Sequence, residues 1–234
     1  MNEIRLSERL CAVVDEIPKN STIADIGSDH AYLPCYAYLR GVISEGIAGE
    51  INEGPWKSAL EQVKRCGIES KISVRRGNGL EVMAPGEVDV VVVAGMGGQL
   101  IASILEDGKE KLAGVKRLVL QPNVGARFIR IWLRDNGWEL KREQILEEDE
   151  KIYEILTADR GDANVPYKAR EEAALLFGPF LMKEKNEAFC KKWQYEYAKW
   201  KKIVQQMEGA EQNEALAEKR AKIESRMKLA EEVL

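Results

Sequence analysis

Three acids, Asp25, Asp29 and Glu50, stand with Gly27 and the single histidine, His30, in a pattern that suggests a ligand site. The run Asp25-Ile26-Gly27-Ser28-Asp29-His30 follows a short apolar stretch and reads as the turn that ends a first strand. In an open parallel sheet, ligands bind beyond the carboxyl ends of the strands, and glycine there lets backbone and ligand approach closely. This turn carries one glycine where a dinucleotide fingerprint has three, and its acids would repel a diphosphate. They suit a nucleoside that bears cationic groups and no phosphate. S-adenosylmethionine, a sulfonium with an ammonium group, is such a ligand. Glu50, followed by Ile51, lies about 20 residues past the glycine, where a carboxylate accepts from both ribose hydroxyls. Gly77-Asn78-Gly79 follows a third strand, and its side-chain amide has the groups to meet an adenine edge. Each signal alone is weak, and three at successive strand ends reinforce one another.

Beyond a fourth strand comes Gly95-Met96-Gly97-Gly98, which leaves an open floor beside the cofactor. The Asn/Asp-Pro-Pro-aromatic motif that serves methyl transfer to exocyclic amines is not there, so a ring nitrogen is the better acceptor. Gln121-Pro122-Asn123 ends the next strand and offers amides to a base edge, although Asn123 also fits as the cap of the following helix.

The elements that must position these residues alternate along the chain. Strands are expected at 22–25, 45–50, 72–75, 88–94 and 117–120, with helices at 31–40, 55–66, 98–106 and 125–136 between or after them. The β-branched run from Val88 to Ala94 marks a strand buried on both faces. Trp138–Ile145 and Ile152–Ala158 form a closing pair of strands around a polar turn. The fold class is therefore α/β, a mostly parallel seven-stranded sheet of Rossmann-like type with one antiparallel edge. A boundary at Gly161–Pro166 separates a cofactor-binding domain, 1–160, from a helical domain, 161–234. In the second part, Phe189, Trp193, Tyr197, Trp200, Val204 and Met207 recur at helical spacing, and so do Leu216, Ile223, Met227, Ala230 and Leu234. They predict two antiparallel helices, a hairpin or short coiled coil joined near Gly209.

Composition sets the outer limits. The 234 residues are 45% hydrophobic and 32% charged, with a net charge of −4. No apolar run is long enough to span a membrane, and the charged N-terminal stretch has no leader character, so a cytoplasmic protein is expected. Cys11, Cys35, Cys66 and Cys190 are scattered and read as free thiols; with one histidine, no metal site is expected. Between Lys183 and Lys202 there are seven lysines and three glutamates, a net +4, which leaves −8 for the rest of the chain.

Taken in order, ADIGSDHAYLP (24–34), IAGEI (47–51), RGNGLEV (76–82), VAGMGG (93–98) and LQPN (120–123) closely resemble the bacterial tRNA (adenine-22-N1)-methyltransferases, the TrmK family. LSERL (6–10), GPFL (178–181) and the closing helices are similar too, so the resemblance spans essentially the whole chain. It implies a class I fold, S-adenosylmethionine as cofactor, tRNA as partner, and methylation at N1 of an adenine in the D-arm region. The family usually has Gly-Asp-Gly where this chain has Gly77-Asn78-Gly79; the asparagine oxygen still accepts a hydrogen bond, without charge assistance.

On this basis the cofactor set is Asp25, Gly27, Ser28, Asp29, Glu50, Ile51, Asn78, Gly79, Gly95 and Met96. Asp29 is the candidate carboxylate for the positive charge that develops on the base, and His30 positions it or meets the substrate. The substrate set is Arg9, Gly97, Gly98, Gln121, Pro122, Asn123, Lys191 and Lys192. Arg5, Arg75, Arg76, Arg127 and Arg130 are further candidates for phosphate contacts. Trp193, Tyr197 and Trp200 read as helix core, so the hairpin lysines are expected to meet RNA. A monomer is the expected state. The alternatives are a class I methyltransferase for another RNA base or a small molecule, and a non-catalytic RNA-binding protein of the same fold. A nicotinamide dehydrogenase is disfavoured by the missing glycines.

Overall fold

The computed structural model describes residues 6–208 and 214–234, so Arg5 and the expected Gly209 joint lie outside the described residues. Seven strands form one sheet: β1 (Ser21–Ile26), β2 (Ile43–Glu50), β3 (Ile72–Arg76), β4 (Val90–Gly97), β5 (Arg117–Val124), β6 (Trp138–Glu148) and β7 (Lys151–Arg160), in the order β3-β2-β1-β4-β5-β7-β6. β1 to β5 are parallel. The antiparallel edge is a hairpin: β7 runs against both β5 and β6, and β6 forms the border. The hairpin's two turn residues, Asp149 and Glu150, take φ of 49° and 62°, the left-handed pair that a tight two-residue β-turn requires.

Neighbouring residues of the central strands serve opposite cores. Val90 and Val92 join Ile23, Ala48 and Val119 beneath α1 (Glu8–Asp15), α2 (Tyr32–Leu39) and α3 (Glu53–Cys66). Val91 and Val93 join Ala24, Ile26, Leu118 and Leu120 beneath α4 (Gly98–Asp107) and α5 (Ala126–Asp135). This is why the strand reads as a continuous apolar run with no alternation. The short α1 was not legible in advance. Its eight residues are capped by the Ser7 hydroxyl, which accepts from the Leu10 N–H at 3.3 Å.

Residues past 160 pack in two ways. Tyr167, Ala174 and Leu175 complete the core under α5, the latter two from α6 (Glu171–Phe177). After the one-turn α7 (Leu181–Glu184), the long helices α8 (Glu187–Glu208) and α9 (Glu214–Val233) are five residues apart in sequence, and Tyr197 midway along α8 donates to Glu231 near the end of α9 at 2.6 Å, so the two run antiparallel. As expected, Trp193 and Trp200 are buried, in a cluster with Phe177, Phe189, Ile223 and Val233 that also touches Ile145 of β6. The four cysteines are free thiols. Among the described residues, no helix is long and apolar enough to cross a membrane.

Candidate functional site

The strand order reverses between β1 and β4, and the ligand-binding crevice of an open α/β sheet opens at such a point. β1 delivers Asp25 and the turn behind it. Gly27, at φ 72°, and Ser28 both donate backbone N–H bonds to the Gly49 carbonyl of β2, at 2.9 and 3.1 Å. Asp29 and Ala31 follow in the left-handed region, at φ 53° and 54°. Neither Asp29 nor His30 caps α2, whose first flanking residue is Ala31.

Two acids are buried here. Asp25 is 4% exposed and Glu50 is 6% exposed. The Ser28 hydroxyl donates to Asp25 Oδ2 at 2.5 Å, and the Asp29 N–H donates to the Glu50 carboxylate. Burial pushes the Asp25 carboxyl up to about 7; the Ser28 hydrogen bond opposes this and the nearby Glu50 charge adds to it. Burial also raises Glu50 above the ordinary carboxylate range, against the pull of the Asp29 N–H. Among the described residues, no lysine or arginine pairs with either acid. A phosphate about 4 Å from one ionised carboxylate would lose roughly 4 kcal/mol at an effective dielectric of about 20. These carboxylate acceptors therefore fit a cationic, phosphate-free nucleoside such as S-adenosylmethionine.

Asp29 and His30 stand on the rim. The Asp29 side chain is 71% exposed; its Oδ1 lies 3.6 Å from His30 Nε2, and the imidazole stacks on Tyr32 at 5.2 Å. Ile51 is exposed next to Glu50. Asn78 is exposed at the end of β3, its N–H held by the Glu81 carboxylate at 3.0 Å, which fixes the turn through Gly79.

The floor is built from β4, β5 and α1. Gly95, at φ 83°, donates its N–H to Gln121 Oε1 at 3.1 Å, and its carbonyl accepts from the Asn123 amide at 2.7 Å. Asn123 thus holds the floor, and Gly125 takes the flanking position of α5. Arg9 donates to the same Gln121 oxygen and lies over the Tyr153 ring of β7, 5.0 Å from its centroid. Gln121 is fully buried, and Pro122 pairs in register with Met96. A Cβ on Gly27 would lie 2.2 Å from the Met96 methyl group, so the turn and the floor meet there. Gly97 faces open space, whereas a Cβ on Gly98 would lie 2.2 Å from the Gly125 carbonyl oxygen. One turn, one strand-end acid and one floor are therefore brought together as the spacing suggested.

The basic candidates separate. Arg130 is fully buried and bonds Glu143 at 2.6 Å and Glu154 at 2.5 Å, so a phosphate contact there is excluded by burial and pairing. Lys192 reaches Glu154 from α8, and Lys191 pairs with Glu147 of β6. Burial alone would raise Glu154, but Lys192 and Arg130 hold it below the ordinary carboxylate range. Arg75 is clamped by both oxygens of Glu87, and Arg76 lies 3.8 Å from Glu53. Sequence reasoning missed Tyr153 and the buried ion cluster; the one available signal was Glu154 inside the apolar run 152–158. Among the described residues no group of three or more His, Cys, Asp or Glu side chains is placed to hold a metal.

Comparison with known proteins bears on this geometry. Residues 23–232 match the family model for tRNA (adenine(22)-N(1))-methyltransferase. The tRNA (adenine(22)-N(1))-methyltransferase of Bacillus subtilis (strain 168) is 50% identical over 235 residues, covering 100% of this chain and 99% of that protein. The crystal structure of the B. subtilis M1A22 tRNA methyltransferase TrmK matches with a TM-score of 0.96 at 49% identity, covering 98% of this chain and 99% of the other. A Streptococcus pneumoniae protein solved in complex with S-adenosyl-L-methionine matches with a TM-score of 0.87 at 40% identity, covering 98% of this chain and all of that one.

Proposed function

The chain belongs to the tRNA (adenine(22)-N(1))-methyltransferase family, and on that premise we propose that it transfers the methyl group of S-adenosylmethionine to N1 of adenine 22 in the D-arm region of tRNA. The observation that carries this reading is the pair of buried acids, Asp25 and Glu50, at adjacent strand ends with no lysine or arginine partner among the described residues, beside the glycine floor at 95–98.

The cofactor, when bound, supplies an electrophilic methyl group on a sulfonium. Glu50 accepts from the ribose hydroxyls, the turn from Asp25 to Asp29 faces the cationic end, and Asn78 with Gly79 takes the adenine edge. Ile51, Gly95 and Met96 complete the walls. N1 of adenine carries an in-plane lone pair and no proton, so no general base is required. The chain contributes proximity and electrostatics. Gln121 and Asn123 hold Gly95, and with it the open floor at Gly97, where the target base lies against Pro122 and Arg9; Gly98, expected to face the substrate, is instead buried against Gly125 and supports the floor from behind. Asp29 offsets the positive charge that moves onto the base, and His30 positions Asp29. Residues 1–160 bind the cofactor, and 161–234, with Lys191 and Lys192 at the junction, face the tRNA. The enzyme acts as a cytoplasmic monomer. In folded tRNA the target adenine must leave its stack, which costs a few kcal/mol.

Incubating the protein with S-adenosylmethionine and unmodified tRNA, followed by mass spectrometry of mapped fragments, is expected to place one methyl group on adenine 22. Methylation of a different base, or none, overturns the reading. Asp29→Asn keeps a residue that tolerates the left-handed backbone and removes only the charge. It is expected to lower turnover about tenfold or more. Near-normal turnover at saturating cofactor removes Asp29 from the chemistry.

A further inference from the structure

A groove of about 640 Å³ starts at Asn123, the residue that holds the catalytic floor, and runs between the start of α5 and the side of α8. Its walls combine two features that the cofactor site does not use. The first is exposed aromatic surface. Phe128 is 47% exposed although it sits on the first turn of an otherwise well-buried helix, and Tyr195 on α8 is 69% exposed. The second is loosely held positive charge. Arg127 lies 3.6 Å from Glu172, Lys199 lies 3.8 Å from Glu196, and no ion pair is formed by Arg226 with any described residue. By contrast Lys191 and Lys192, in the same wall, are tightly engaged by Glu147 and Glu154.

We propose that this groove seats the single-stranded RNA next to the target adenine, with neighbouring bases stacked on Phe128 and Tyr195 and their phosphates on Arg127, Lys199 and Arg226. Extruding a base opens the strand beside it, and the unstacked neighbours need flat apolar partners and cations close to the point of exit. The groove supplies both, and it is continuous with the floor through Asn123. A peptide of acidic residues would answer the cations but not the exposed rings, whereas a nucleic-acid strand brings an anion and a flat face in every unit, matching Arg127, Lys199 and Arg226 beside Phe128 and Tyr195. The proposal rests on the tRNA reading above and adds where the flanking nucleotides go.

The test compares Phe128→Ala, Tyr195→Ala, their double variant, Tyr195→Phe and Arg226→Gln with the unaltered protein. Both aromatic rings are largely outside the core, so folding is expected to be unchanged. Direct binding of unmodified tRNA by fluorescence anisotropy is expected to weaken about tenfold for each alanine variant, with KM rising in parallel. Affinity for S-adenosylmethionine by calorimetry stays the same, and Tyr195→Phe keeps its tRNA affinity. A tRNA carrying 2-aminopurine beside adenine 22 is expected to stay quenched on binding to the unaltered protein, where the rings replace the lost stack, and to brighten on binding to the double variant. Unchanged tRNA affinity and unchanged 2-aminopurine quenching in the double variant overturn the groove assignment while methylation at adenine 22 still stands. If the unaltered protein binds tRNA through this groove yet methylates another base, the functional reading falls and the groove remains. If it does not bind tRNA, both fall.

Discussion

At the residue scale, Asp25 is a carboxyl whose ionisation the fold resists. Its group ordinarily titrates at 3.8, and burial pushes it up to about 7. Between those values the native state keeps a proton that the unfolded chain has released, so stability falls as pH rises from about 4 to about 7 and is level beyond. The full effect is on the order of 4 kcal/mol. A bound cation reverses the preference, because it favours the ionised form. Affinity for S-adenosylmethionine is therefore expected to rise from about pH 6 to about pH 7.5, with a proton released on binding. Calorimetry in buffers of different ionisation enthalpy measures that proton directly. Asp25→Asn should flatten the fall in thermal midpoint over the same range and abolish the proton release; an unchanged slope would remove Asp25 as its source. This acid was legible because it stands at a strand end just before a glycine. Arg130 was not: an arginine on a helix reads as surface, and only the fold brings Glu143 and Glu154 to it from positions 13 and 24 residues away.

At the element scale, two joints decide whether the floor and the groove hold their shapes. Gly98 opens α4 and touches Gly125, which opens α5. The atom a new Cβ would strike is a backbone carbonyl oxygen, which cannot swing aside as a side chain can. Gly98→Ala is expected to cost about 1–3 kcal/mol of stability in urea denaturation and to lower turnover, while leaving cofactor affinity at the β1 and β2 ends near its original value. The second joint is the Arg130 cluster, which ties α5 to β6, β7 and α8. Arg130→Met would leave buried Glu143 with only the Phe180 N–H and Glu154 with only Lys192, and a loss of about 3–5 kcal/mol is expected. A loss below about 1 kcal/mol would mean that the glutamates reach water once the arginine is gone. The strands themselves were readable from their β-branched runs and turn residues. The cap role of Asn123 was not decided by sequence, since a cap and a cross-strand clamp use the same amide; the structure gives that amide to the Gly95 carbonyl.

At the scale of the whole molecule, a chain of net charge −4 must attract a polyanion, so the arrangement of its charges matters more than their sum. The excess of lysine on α8 lies beside the groove, but two of those lysines are committed to Glu147 and Glu154. Removing 183–234 would therefore do more than remove cations. It would strip Phe189, Trp193 and Trp200 from Phe177, Leu181 and Ile145, and it would take the Lys192 partner from buried Glu154. Such a truncation is expected to lose thermal stability together with tRNA affinity, so it does not isolate the electrostatic contribution. Single neutralisations do. Association with tRNA releases counterions, and the logarithm of affinity falls linearly with the logarithm of salt concentration. Each phosphate contact removed should lower that slope by about 0.7 for single-stranded RNA. Lys199→Gln and Arg226→Gln are expected to lower it by about that amount each and by about twice as much together, with the fold and S-adenosylmethionine affinity preserved. Lys191→Gln, which loses a cation already neutralised by Glu147, should change the slope much less. Equal slopes for all three variants would show that the field of the whole helix, and no particular contact, holds the RNA.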